Sequence, residues 1–217
     1  MPLAPVSSSL SLRALGRRQT LLWLAAGAGL LSGCDRLSPG GSAAAPSFKG
    51  IDITGADYAK GFSLTDFNGQ ARTLADLKGK VVMLYFGFVQ CPDVCPTALT
   101  RAAVVMERLG PQAADLQVIF VTVDPERDTP ELLREYMKAF HPDFLALTGS
   151  AEQIAQTAKD FRAFYKKVPT GSSYTMDHTA LSYLFDRQGR IRVALRHEQT
   201  ADDYTADIRA LLDAPAA

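Results

Sequence analysis

The chain has 217 residues, of which 47% are hydrophobic and 21% are charged, with 23 basic and 23 acidic side chains. This balance gives no support for binding to nucleic acid or for a polybasic membrane-binding surface. The length allows one globular domain with a sizeable core.

The N-terminal segment has the pattern of an export signal. Three arginines precede an apolar run of eleven residues that ends at Leu31. The run is too short to span a bilayer, which needs roughly 20 apolar residues, so an uncleaved anchor is disfavoured. Residues 1–33 are therefore predicted to be a signal peptide. The pair Arg17-Arg18 matches a twin-arginine signal only loosely, so Sec and Tat export both stay open.

The apolar run is followed by Ser-Gly-Cys34, which with Leu31 resembles the lipobox of bacterial lipoproteins. The resemblance implies that Cys34 carries a diacylglycerol thioether. This lipid would anchor the protein at the periplasmic face of the inner membrane. The alternative is a chance cysteine after an ordinary signal. Residues 34–47, rich in Ser, Gly, Ala and Pro, would be a flexible tether. The mature chain would carry 20 basic and 23 acidic side chains, a net charge of −3.

Residues 48–213 alternate between strand-like and helix-like patterns. The domain begins with a hairpin predicted around the turn Asn68-Gly69. The near-continuous apolar run Lys80–Phe88 predicts a strand covered on both faces. The later predicted elements are a helix over Pro96–Leu109, a strand over Leu116–Val123, a helix over Thr129–Phe140, a short strand over Leu145–Leu147, a helix from Ser150 to about Phe164, a hairpin of Leu181–Phe185 and Ile191–Leu195, and a helix from Thr200 to about Leu212.

This order of elements predicts an α/β fold in which helices flank a mixed sheet, with an added N-terminal β-hairpin. Thioredoxin-like folds use the same order. The cysteine pair follows the first buried strand directly, so we expect it at the C-terminal end of a central strand. Open sheets place their binding sites at such ends.

Two cysteines four residues apart carry the clearest chemistry of the chain, in the stretch Gln-Cys91-Pro-Asp-Val-Cys95-Pro. Pro96 is expected at the first helical position, which would put Cys95 at or near the N-cap, where the helix dipole favours a thiolate. Such a pair can close a disulfide or bind a soft metal. In the oxidising compartment that export implies, we expect a redox couple or a metal site.

A metal held by two thiolates needs a further ligand unless it is linear Cu(I), and the chain contains three histidines. His141 at a helix end and His197 after a strand are predicted to be solvated or capping residues. His178 precedes the predicted strand Leu181–Phe185, where a loop can fold back over the strand ends. It is the candidate ligand, although a lone histidine is more often structural.

Four acidic residues are candidates for supporting roles around such a site. Asp93 lies between the cysteines and either influences them or bonds its own turn. Asp124 and Asp128 follow the strand predicted next to the cysteine strand, and either border the site or form turns and caps. Asp177 lies beside the candidate histidine. Met176 could face the same side, although a core position is favoured.

Three motifs, in order along the chain, resemble those of the SCO/SenC family of copper chaperones. They are the cysteine loop Phe86–Thr97, the stretch Val121-Thr-Val-Asp-Pro-Glu-Arg-Asp-Thr-Pro130, and Asp177-His178-Thr179. The resemblance covers the domain from about Phe62 to Leu212.

The resemblance implies a thioredoxin-like domain that binds one copper per chain, as Cu(I) or Cu(II), through Cys91, Cys95 and His178. It also implies that the protein helps to assemble the binuclear copper centre in subunit II of cytochrome c oxidase, as a chaperone rather than an enzyme. A periplasmic copper donor or thiol reductant would be a further partner. Soft thiolates and an imidazole suit both copper states, and zinc would accept the same ligands.

Two other functions compete with copper delivery. The first is a thiol–disulfide reductase that keeps the copper-site cysteines of the oxidase reduced. Its usual spacing is Cys-x-x-Cys rather than Cys-x-x-x-Cys, and it would not need His178. The second is a thiol peroxidase, which is disfavoured because no Pro-x-x-x-Thr-x-x-Cys element precedes Cys91.

Overall fold

The computed structural model describes residues 47–214. The predicted signal peptide, the lipid on Cys34 and nearly all of the predicted tether lie outside the described residues. Within residues 47–214, the structure contains no helix that is both long enough and apolar enough to cross a membrane.

The described chain alternates strands and helices in the order that the sequence predicts, with some additions. The strands are β1 (Ile51–Asp52), β2 (Ser63–Asp66), β3 (Ala71–Thr73), β4 (Val81–Gly87), β5 (Leu116–Thr122), β6 (Leu145–Thr148), β7 (Tyr165–Thr170), β8 (Ser173–His178), β9 (Leu181–Phe185) and β10 (Ile191–Arg196). The α-helices are α1 (Val94–Leu109), α2 (Pro130–Lys138), α3 (Ala151–Asp160) and α4 (Ala201–Leu212). Short 3-10 helices cover Leu74–Leu77 and Gly110–Asp115.

Eight of these strands form one mixed sheet in the order β1-β10-β9-β4-β5-β6-β2-β3. The neighbours β4, β5 and β6 are parallel, while the outer pairs are antiparallel. All seven residues of β4 are buried, which agrees with its continuous apolar sequence. With helices packed on this sheet, the fold is the predicted thioredoxin-like α/β fold, with the hairpin β2–β3 added at one edge.

Helix starts follow the predicted capping residues. The hydroxyl of Thr129 accepts a hydrogen bond from the backbone N–H of Leu132, with a proline at the first helical position. Ser150 and Thr200 form capping boxes at the starts of α3 and α4. These local signals fix where the helices begin, so most helix positions agree with the sequence pattern.

The main departure from the prediction is a second, two-stranded sheet of β7 and β8. The sequence pattern favours a helix as far as about Phe164 and then a loop, but α3 ends at Asp160 and Arg162 takes a left-handed backbone with φ of 53°. The chain then forms an antiparallel hairpin that turns at Gly171, where φ is 59°. His178 is the last residue of this hairpin, so the candidate ligand comes from a strand rather than a loop.

Candidate metal centre

The cysteine loop begins where β4 ends, at Gly87. A side chain at this glycine would place its Cβ 2.9 Å from the Sγ of Cys95 and 2.6 Å from the ring of Phe120. Glycine therefore allows helix α1 and its cysteine to pack directly on the strand end. The N–H of Cys91 then donates to the carbonyl of Phe88 at 3.2 Å, which turns the loop towards the helix.

Helix α1 begins two residues earlier than the proline pattern predicts. Its N-cap is Asp93, whose carbonyl accepts from the N–H of Thr97 at 3.1 Å, so Cys95 is the second helical residue. Pro96 is the third, and its missing N–H costs little because the first four helical N–H groups have no partner within the helix. Cys95 therefore lies near the N-cap, as expected, although not at it, and its N–H donates to the Sγ of Cys91 at 3.4 Å.

The structure brings the two sulfur atoms together with one ring nitrogen. The Sγ atoms of Cys91 and Cys95 and a ring nitrogen of His178 all lie within 4.8 Å of one another. The Nε2 atom of His178 is 3.4 Å from the Sγ of Cys95, and the two cysteines are not joined by a disulfide. Among residues 47–214, this is the group of Cys, His and acidic side chains that could hold a metal ion.

The ring of His178 is held in one orientation. Its Nδ1 lies 3.1 Å from the backbone carbonyl of Thr179. Since a carbonyl only accepts, Nδ1 must donate there, and Nε2 is left to face the sulfur atoms. The rings of Tyr85 and Phe88 pack edge-on against the imidazole, with centroids 5.9 and 5.8 Å away. A histidine fixed in this way is prepared to offer Nε2 to a metal.

The two thiols differ in acidity. A hydrogen bond from the Cys95 thiol lowers the pKa of Cys91 to about 4, against the effect of burial, and two backbone N–H groups at the helix start act in the same direction. The pKa of Cys95 is raised because it donates to Cys91 and because it is buried. The helix start therefore favours a thiolate on Cys91, whereas the sequence interpretation placed it on Cys95.

Asp128 stabilises the cysteine loop through a hydrogen bond with the loop backbone. It is buried, and its carboxylate accepts from the hydroxyl of Thr122 at 2.6 Å and from the N–H of Val89 at 3.1 Å. Burial raises the pKa of Asp128 to about 6, against these two hydrogen bonds. Because Val89 lies two residues before Cys91, this carboxylate helps to fix the path of the loop.

A cluster of four residues joins the cysteine loop to the hairpin that carries His178. We call Gln90, Asp124, Arg127 and Tyr174 the Arg127 clamp. The Nε of Arg127 donates to Asp124 at 2.5 Å, and its Nη1 donates to the carbonyl of Tyr174 at 2.8 Å and to Gln90 at 3.0 Å. The hydroxyl of Tyr174 also donates to Asp124 at 2.8 Å, and the guanidinium stacks 3.6 Å above the tyrosine ring.

The sequence interpretation did not identify Arg127 or Tyr174 as part of the site. Two signals could have pointed to them. Arg127 lies in the second motif, between the two buried aspartates, and Tyr174 lies four residues before His178 in a stretch where every second residue faces the same side.

The two remaining acidic candidates lie at the mouth of the site. Asp93 and Asp177 are both exposed, and both line a cleft of about 350 Å³ that also contains Cys91 and His178. The other two histidines lie outside the three-donor group. The ring of His141, for example, stacks on Phe144 at a centroid distance of 5.1 Å.

Fold and site together define a thioredoxin-like protein with a Cys-Cys-His centre at the end of a central strand. The SCO1/SenC family profile matches residues 52–213, about three quarters of the chain. The chain belongs to the SCO1/SenC family.

Curated relatives and solved structures agree with this assignment. The SCO2-like protein of Rickettsia prowazekii is 42% identical over 132 residues, which are 59% of this chain and 64% of that protein. The mitochondrial SCO2 homolog of Bos taurus is 40% identical over 152 residues, 68% of this chain and 57% of that protein. The chain thus matches less than two thirds of the length of these relatives.

Two similar solved structures are described with copper bound. ScoI of Bradyrhizobium japonicum is 43% identical with a TM-score of 0.65, and the match covers 70% of this chain and 97% of that one. Yeast Sco1 is 32% identical with a TM-score of 0.65, and the match covers 79% and 92%.

Proposed function

We propose that this chain is a copper chaperone that holds one copper ion through Cys91, Cys95 and His178. The observation that carries the proposal is the convergence of two sulfur atoms and one oriented ring nitrogen within 4.8 Å. Thiolates select Cu(I) and an imidazole supports Cu(II), so this donor set can hold copper in either state. Two relatives of the same family are described with copper bound, which supports copper rather than zinc as the natural metal.

The copper is cargo, and its recipient in this proposal is subunit II of cytochrome c oxidase, where it would help to build the binuclear copper centre. One solved protein of this fold is described as a member of the Sco family of cytochrome c oxidase assembly proteins. The cleft beside Cys91 and His178 supports a transfer role, because a ligand of the partner needs access to the metal before the donor releases it. A periplasmic copper donor would load the site.

The test is a copper titration of the reduced, tag-free domain, followed by absorption and EPR. We expect one equivalent of Cu(II) with strong sulfur-to-copper charge-transfer bands. Cys91→Ser, Cys95→Ser and His178→Ala should each lower the copper affinity by about 100-fold or more, since loss of a residue that only supports a ligand already costs about 10–100-fold. His141→Ala is the matched control, because it removes an imidazole outside the site and should change nothing.

Stoichiometric binding with an unchanged spectrum in all three ligand variants would contradict the proposal. A signal lost in His141→Ala as well would show that the spectrum reports on copper bound to histidines in general.

A thiol–disulfide reductase is the second candidate, and one observation favours it. Cys91 combines a lowered pKa with a small exposed area of 8%, while the fully buried Cys95 lies within reach as the resolving thiol. The separating assay uses copper-free protein and a peptide that carries the cysteine pair of the oxidase copper site. Reduction that survives His178→Ala and disappears in Cys91→Ser would favour the reductase over the chaperone.

We further propose that the mature protein begins at Cys34 and is anchored by a lipid on that residue at the periplasmic face of the inner membrane. The lipobox-like sequence Leu31-Ser-Gly-Cys34 supports this. Residues 34–47 would then tether the copper-binding domain of residues 48–213. Labelling cells with radioactive palmitate should mark the wild-type protein. A Cys34→Ala variant that keeps the label and stays in the membrane fraction would overturn the anchor.

A further inference from the structure

Strand β8 presents three side chains on the face that is turned towards the cysteine loop. Alternate residues of a strand share a face, so Tyr174, Met176 and His178 lie on one side. Their neighbours Ser173 and Asp177 are exposed, whereas Met176 is only 7% exposed. The metal-binding candidate and the methionine therefore point in the same direction.

Met176 lines the same cleft as Cys91 and His178. The other donors in the wall of this cleft are hard oxygens, on the carboxylates of Asp93 and Asp177 and on a threonine, and the remaining lining residues are apolar. Among the described residues of the cleft, the thioether is thus the one soft donor that the Cys-Cys-His group does not include. Soft thiolate and thioether ligands are those that Cu(I) prefers.

The backbone on both sides of Met176 is fixed. Two residues before it, Tyr174 is held by the Arg127 clamp through its hydroxyl, its carbonyl and its ring. Two residues after it, His178 is held through its Nδ1 and by two aromatic rings. Met176 is therefore kept at the cleft, while three rotatable bonds let its sulfur adjust to a metal.

We infer that the Met176 thioether is a further, labile donor to Cu(I) in this site. The inference rests on the proposed copper function and deepens it. Three strong ligands leave room for a fourth, and a thioether binds weakly enough to be displaced by an incoming partner ligand. In this role Met176 favours the reduced metal and yields the fourth position to the ligand of the partner that takes the copper.

The first experiment detects the contact directly. Selenomethionine-substituted protein is loaded with Cu(I) and studied by selenium-edge X-ray absorption, with the metal-free protein as background. Copper should appear as a neighbour of selenium in the wild type and disappear in Met176→Leu, which keeps an apolar side chain of similar size. Copper bound in full with no copper neighbour of selenium would overturn the inference.

The second experiment measures Cu(I) affinity by competition with a chelator. Met176→Leu should lower the affinity by about tenfold, the lower end of the range for residues that support a metal site. Met106→Leu is the matched control, since it removes a similarly buried thioether from the buried face of α1. An unchanged affinity in Met176→Leu would overturn the inference and leave the residue as an apolar wall.

The two proposals fail in different ways. If the wild type binds no copper, the proposed function and this inference both fall. If the wild type binds one copper, Cys91→Ser strongly weakens that binding, and Met176→Leu changes neither the affinity nor the selenium spectrum, then only the role of Met176 falls.

Discussion

At the scale of single residues, Cys91 and Cys95 have the same side chain and a proline after each, yet their environments differ. Cys91 accepts hydrogen bonds at the start of α1, while Cys95 is buried inside the first turn. The lowered pKa favours the thiolate of Cys91, whereas the raised pKa keeps Cys95 a protonated thiol. Cys95 must therefore lose its proton when a metal binds.

This difference predicts the reactivity of the reduced, metal-free protein. Alkylation of Cys91 should follow a titration with a midpoint near pH 4 instead of about 9, because hydrogen bonds stabilise its thiolate. Cys95 should stay unmodified in the folded state. The measurement is a series of alkylation rates against pH, read by mass spectrometry.

A wild-type midpoint near 9 would contradict the prediction. The same lowered pKa links folding to pH. Its contribution to the free energy of unfolding is complete above about pH 9 and is lost as the pH falls towards 4.

The sequence could predict which residues meet at the candidate site, but not which of the two cysteines is the thiolate. Cysteine spacing and the Asp-His-Thr motif lead to Cys91, Cys95 and His178 by resemblance. The start of α1 at Val94 was missed because the proline rule favours Pro96 as the first helical residue, whereas a proline is also tolerated later in the first turn. That shift of two residues decides which sulfur faces the helix start.

At the scale of elements, the hairpin β7–β8 carries His178 and is not part of the main sheet. Its sequence hides its structure, because Lys166, Lys167 and Pro169 interrupt the alternation that marks a half-buried strand. By contrast, β4 and β5 are buried on both faces, and their apolar runs are evident in the sequence. What the sequence pattern does not contain is the tertiary contact that places the hairpin.

The Arg127 clamp supplies one such contact, so its loss should weaken copper binding without removing a ligand. Arg127→Ala deletes two hydrogen bonds to the hairpin and the cysteine loop and the stacking on Tyr174. We expect copper affinity to fall by about tenfold in a competition titration. Arg127→Lys should recover only part of the loss, because an ammonium group lacks the planar fork of a guanidinium.

Arg162 provides the control for this comparison. It also stacks on a tyrosine, Tyr58 at 4.4 Å, and pairs with an aspartate, Asp57 at 3.1 Å. None of these residues lines the cleft that contains Cys91 and His178. Arg162→Ala should leave copper affinity unchanged. Equal losses in the Arg127 and Arg162 variants would mean that general stability, and not the position of His178, sets the affinity.

At the scale of the whole molecule, the proposed copper ion would connect parts of the chain that lie far apart in the sequence. Its sulfur ligands come from the end of the main sheet and the start of α1, and its nitrogen ligand comes from the separate hairpin. The overall α/β order is predictable from sequence because each element carries its own caps and period. The meeting of the two sheets is not, because it depends on side chains far apart in sequence.

Copper should therefore stabilise the folded domain as a whole. A ligand that binds only the native state at 100 times its Kd adds about 2.7 kcal/mol to the free energy of unfolding. For a domain of this size, each kcal/mol raises Tm by about 2–4 °C, so an increase of roughly 5–10 °C is expected. The measurement is thermal unfolding by circular dichroism, with Cu(I) added without oxygen so that the thiols stay reduced. Cys91→Ser should unfold at a Tm that does not respond to copper, and His141→Ala should respond as the wild type does. An equal rise of Tm in Cys91→Ser would show that the stabilising copper binds away from the Cys-Cys-His centre. The prediction that copper connects the two sheets would then be wrong.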